Sequence, residues 1–140
     1  MTSRTTLTGQ VAWITGGGSG IGLAGAIELA LAGCSVVISG RDATKLDAAL
    51  EVARSKGVAV DAISAMALDV ADKSAVDRVA AAIHAQYGGV DILVNSAGIN
   101  FPKRFWGETD GVTFDKVVAV NLNGATYCTL AVLHGMRARG

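Results

Sequence analysis

Cysteine, proline and aromatic residues are scarce in this 140-residue chain: two Cys, one Pro and 5% aromatics. Cys34 and Cys128 lie far apart and form no CxxC motif. They read as two small buried apolar residues in a reducing compartment, not as a disulfide framework. The lone proline excludes collagen-like and proline-rich tracts. Net charge is also lacking: 12 Lys+Arg balance 12 Asp+Glu, for a formal charge of +0. With no basic tract either, nucleic acid is not expected as the main partner. Only 17% of residues are charged and 51% are hydrophobic, which excludes a disordered chain. The most apolar stretch, Ile21 to Ala32, is short and broken by Glu28, so no membrane span is expected. Met1 to Thr6 lacks the shape of a signal peptide. These features place the protein in the cytoplasm as an expectation. No His/Cys/Asp cluster has metal-ligand spacing, and His84 and His134 read as helix-surface residues.

Glycine is in excess, with 18 residues where about 7% is usual. The positions carry the meaning. Val11–Thr15 is a short apolar run before Gly16-Gly17-Gly18 and reads as a buried strand. A helix is expected from Gly20 to Ala32, closed by Gly33. Val36–Ser39 is the second strand. Asp42 caps a helix bearing Leu46, Ala49, Leu50 and Ala53, which Gly57 ends. A third strand lies within Ala62–Leu68. Asp72 caps a helix with the stripe Val76, Val79, Ala80, Ile83. Asp91–Asn95 is the fourth strand. Phe114, Val117, Val118, Asn121, Ala125, Cys128, Val132 and Met136 then form the apolar face of one long helix. Four strand–helix units in alternation imply a single α/β domain over residues 1–140: a doubly wound parallel sheet of Rossmann type, strand order 3-2-1-4.

The glycine turn, Thr15-Gly16-Gly17-Gly18-Ser19-Gly20-Ile21-Gly22, joins the first strand to the first helix. Such a turn lets backbone approach a pyrophosphate, and the N–H groups of the helix start hold the anion. The bare GxGxxG at Gly20, Gly22 and Gly25 starts inside the helix and is set aside as chance plus helix packing. The informative pattern is TGxxxGIG.

That pattern resembles the short-chain dehydrogenase/reductase family. Asn95-Ser96-Ala97-Gly98 after the fourth strand resembles its NNAG, with Ser96 replacing the second Asn. Asp69-Val70 stands where the family contacts adenine, and Val120-Asn121-Leu122 where it keeps an active-site Asn. The resemblance implies an oxidoreductase that transfers a hydride between NADP(H) or NAD(H) and a small alcohol or carbonyl. It implies cofactor contacts at Gly16, Ser19, Gly20, Ile21, Gly22, Arg41, Asp69, Val70, Asn95, Ala97 and Gly98. It also gives Asn121 a catalytic role, anchoring a water. A homo-oligomer is expected as well.

A carboxylate at the end of the second strand would favour NAD through the ribose hydroxyls. Gly40 stands there, Arg41 follows, and a guanidinium bonds a 2′-phosphate bidentately. NADP is therefore the expected cofactor, with NAD as the alternative through Asp42. The family's Tyr and Lys four positions apart are missing: Tyr87 is followed by Asp91 and Tyr127 by Ala131. The chain is expected to be the cofactor-binding half, lacking the later strands and the catalytic Ser, and inactive alone. The other reading is a non-catalytic dinucleotide-binding or interaction module. The loop Ile99–Gly111, with Phe101, Lys103, Arg104, Phe105 and Trp106, sits where substrate is often touched.

Overall fold

The computed structural model describes residues 6–103 and 105–140. Strand β1 (Val11–Thr15) is followed by α1 (Gly20–Leu31), β2 (Ser35–Gly40), α2 (Ala43–Ser55), β3 (Ile63–Ala67) and α3 (Lys73–Tyr87). Then come β4 (Ile92–Asn95), α4 (Gly111–Val118), a π-helical segment (Ala119–Gly124) and α5 (Ala125–Arg139), with short 3₁₀ turns at Val60–Ala62 and Trp106–Glu108. The four strands are parallel in the order β3-β2-β1-β4, as the alternation of the sequence predicts.

β1 is buried on both faces, which is why it reads as an unbroken apolar run. Its side chains alternate between two cores. Ala12 and Ile14 join Val36, Ile38, Ala26, Leu46 and Ala53 beneath α1 and α2. Val11 and Trp13 join Val37, Val76, Ile83, Cys128 and Val132 beneath α3 and α5. The expected caps form: Asp42 accepts a hydrogen bond from the N–H of Lys45, and Asp72 from that of Ala75. Gly88 closes α3 in the left-handed region, at φ +86°. Register aligns Thr15 with Ser39 on one side and Asn95 on the other, so the strands end in one row.

Two expectations are corrected. The long last helix forms without a break from Gly111 to Arg139, but it is not α-helical throughout, because the π segment adds residues to its turns. The buried stripe before Cys128 is therefore Val120 and Gly124, while Asn121, expected on the buried face, is exposed. In addition, the helical run Gly111–Arg139, 29 residues, is long and apolar enough to cross a membrane by length and composition. Asn121, Asn123 and three threonines interrupt it, so no single apolar run reveals it. Here Val120, Cys128 and Val132 pack it onto the sheet.

Candidate dinucleotide site

The loops beyond the aligned strand ends converge. Gly16 is held at φ +67°, and a Cβ there would lie 2.7 Å from the backbone of Ser96 and Ala97. A Cβ on Gly22 would lie 2.3 Å from the Gly16 carbonyl oxygen. Close backbone approach therefore requires glycine at both, and the turn packs directly against the segment after β4 and the start of α1. Thr15, buried at the end of β1, ties the turn to β4: its Oγ1 accepts from the N–H of Ala97 at 3.2 Å. The N–H of Gly17 donates to the carbonyl of Ser39 at 3.1 Å.

Ser19 is the N-cap of α1 and spends no side-chain hydrogen bond there; the first turn carries no acidic residue. The positive end of the helix dipole is thus left for an anion. Gly20 sits at φ +55° with nothing close to where a Cβ would be. Ile21 at the helix start is 87% exposed. Among the described residues Gly25 has no crowding neighbour, so packing does not explain the third glycine of the chance pattern, whereas it does explain Gly22.

A cleft of about 110 Å³ opens beside the turn. Among the expected contacts it brings together Gly16, Arg41, Asp69, Val70, Ala97 and Gly98. Ser19, Gly20, Ile21, Gly22 and Asn95 lie outside its lining; Asn95 instead donates from Nδ2 to Thr129 Oγ1 on α5 at 3.2 Å. Ser39, Leu68, Ile99 and Val120 also line it and were missed. Ser39 carried a signal, a polar residue closing a buried strand. Larger hollows, about 360 Å³ between α3 and α5 and about 540 Å³ along Leu130–Ala138, contain nothing from the glycine turn or the strand ends.

Arg41 stands exposed at the cleft with no ion-pair partner among the described residues. Asp69 Oδ1 accepts from the N–H of Ala71 at 3.0 Å. Asn121 clamps the far wall: Oδ1 accepts from the N–H of Ile99 and Nδ2 donates to its carbonyl, both at 2.8 Å. The amide is thus occupied by backbone. Behind it, a Cβ on Gly124 would lie 2.5 Å from Val70 Cγ2, so the π segment presses on the cleft wall. In the loop after β4, Phe105 and Trp106 are 76% and 88% exposed, while Arg104 lies outside the described residues.

The model of the short chain dehydrogenase family matches residues 10–140. The chain belongs to that family. It is 35% identical to a gluconate 5-dehydrogenase of Gluconobacter oxydans over 141 aligned positions, covering 96% of this chain and 51% of that protein. It is 42% identical over 128 positions to an oxidoreductase, EphD, of Mycobacterium tuberculosis, covering 91% of this chain and 20% of that protein. Among solved structures, a metagenomic short-chain oxidoreductase in complex with NADP superposes with a TM-score of 0.86 at 31% identity, covering 98% of this chain and 60% of that one. The 2-keto-3-deoxy-D-gluconate dehydrogenase of Streptococcus agalactiae gives 0.84 at 30% identity, with 97% and 50% covered. This chain spans a fifth to about half the length of these curated relatives.

Proposed function

We propose that this chain is the cofactor-binding half of an NADP-preferring dehydrogenase/reductase acting on a small alcohol or carbonyl. The observation that carries the reading is the cleft itself. A tight glycine turn, an unneutralised helix N-terminus and Arg41, which has no ion-pair partner among the described residues, converge at the carboxyl ends of parallel strands. The turn fits a dinucleotide: Gly16 and Gly22 let it pack tightly against the segment after β4 and the start of α1, and a Cβ position on Gly20 meets nothing within 4 Å among the described residues, so the helix start is open to a pyrophosphate. When bound, the nicotinamide supplies the hydride donor or acceptor.

The chain's own residues bind and orient. The N–H groups at the start of α1, with the Ser19 hydroxyl, hold the pyrophosphate. Gly20, Ile21 and Gly22 form the surface over which it passes. Arg41 takes the 2′-phosphate. Asp69 and Val70 border the adenine. Ala97 and Gly98 form the opposite wall, and Asn95 fixes the segment before it. Asn121 acts as a positioning residue by holding Ile99. Asp42 caps α2 through Oδ1 and lies outside the lining of the cleft, whereas Arg41 is part of it. This supports NADP over NAD.

No Tyr-x-x-x-Lys occurs in the chain, so its 140 residues alone are proposed to catalyse no hydride transfer. Titration with NADPH and NADH tests the cofactor reading. NADPH should bind roughly tenfold or more tightly, as charge-assisted bonds to a phosphate warrant, and Arg41→Ala should erase most of the gap. Equal affinities in the unmutated chain would remove Arg41 from the account.

A further inference from the structure

Trp13 lies in the middle of the central strand and is 0% exposed. An indole N–H is a donor only, and leaving it unbonded in a core is costly. Trp13 Nε1 donates to Ser39 Oγ at 2.9 Å. Register explains the reach: Trp13 pairs with Val37, so Ser39 lies one same-face step further along β2, toward the cleft. Ser39 is itself 1% exposed and lines the cleft beside Gly40 and Arg41. Its carbonyl is held by the N–H of Gly17, so the residue is fixed through backbone and side chain together.

A hydroxyl has one proton and two lone pairs. One lone pair is taken by the indole. Among the described residues this is the hydrogen bond the structure gives the hydroxyl, and in it the hydroxyl is the acceptor. Its own proton remains to be given, and water barely reaches it. A buried donor with an unspent proton in the wall of a cleft calls for an acceptor on whatever fills that cleft.

We propose that Ser39 contacts the adenosine half of the bound dinucleotide, donating its hydroxyl proton to a ring nitrogen or ribose oxygen, and that Trp13 positions it. This rests on the dinucleotide reading above. Trp13 thereby links the core to the cleft: its N–H fixes which way the Ser39 proton points.

The test uses the full 140-residue chain with 5′-AMP and 2′,5′-ADP as probes, followed by calorimetry. Ser39→Ala should weaken both nucleotides roughly three- to tenfold, the scale of one neutral hydrogen bond. Trp13→Phe should weaken both by about twofold, a smaller step because the hydroxyl keeps its proton and loses only its direction. The Trp13→Phe/Ser39→Ala pair should bind like Ser39→Ala alone, which shows that Trp13 acts through Ser39. The pair also leaves no orphaned indole N–H, so it keeps the question answerable if Ser39→Ala alone does not fold. In a Trp106→Phe background Trp13 is the single indole, since the chain has two Trp. Its emission should change saturably with 5′-AMP. Binding by the folded pair variant as tight as by the unmutated chain would overturn the proposal. Failure of the unmutated chain to bind either nucleotide would instead overturn the dinucleotide reading, and the proposal with it.

Discussion

Asp42 and Asp69 each accept one backbone N–H through Oδ1, from Lys45 and Ala71, so position separates their roles. Asp42 caps α2 and lies outside the lining of the cleft, whereas Asp69 is part of it. The sequence allowed Asp42 either use; only the cap geometry decides for the helix. Gly16 is decided twice over, by its positive φ and by the Ser96–Ala97 backbone beside it. Gly16→Val should therefore weaken NADPH and NADH alike by roughly tenfold or more, without changing their ratio. A changed ratio with intact affinity would contradict that role. The two thiols behave as the sequence suggests, buried and free. Burial pushes Cys128 from an ordinary 9.0 up to about 11. The folded state thus holds this proton more tightly than the unfolded chain. The resulting stability is complete below pH 9 and is lost as pH rises toward 11. Urea unfolding across that range should show a steeper loss in the unmutated chain than in Cys128→Ala; parallel curves would contradict it.

Among the elements, the first strand, the glycine turn and the capped helices were legible because their signals are local. An apolar run, a positive-φ glycine and an Asp at a cap each act within a few residues. The π segment was not legible. It depends on Gly124 reaching Val70 and on Asn121 reaching Ile99, contacts between parts of the chain that no periodicity connects. A helical pattern read at steps of three and four assumed uninterrupted turns and so put Asn121 on the wrong face. π-bulges often occur at functional sites, and this one shapes a cleft wall. Asn121→Ala should cost about 1–2 kcal/mol in urea unfolding, from two lost hydrogen bonds, and loosen nucleotide binding a few-fold. Unchanged binding at reduced stability would confine Asn121 to a purely structural role. The Trp13–Ser39 bond was likewise hidden, since strand register is needed to bring the two together.

At the scale of the whole molecule, the sheet order followed from the alternation of elements, and the family from four motifs in the expected order. What the sequence left open was how the outer surfaces are covered. Among the described residues β4 pairs only with β1, and Ile92, Leu93 and Val94 are half-buried where β1 is fully buried. Leu122, Leu130 and Leu133 are exposed along the last helical run. An apolar strand edge beside an apolar helix face drives association. Light scattering over a dilution series of this 140-residue chain should show self-association; a clean monomer at high micromolar concentration would contradict it. Calorimetric titration of the chain with NADPH tests the cleft most directly. Saturable binding at one site per chain is expected. A chain that is folded by circular dichroism yet shows no saturable heat up to millimolar NADPH would contradict it.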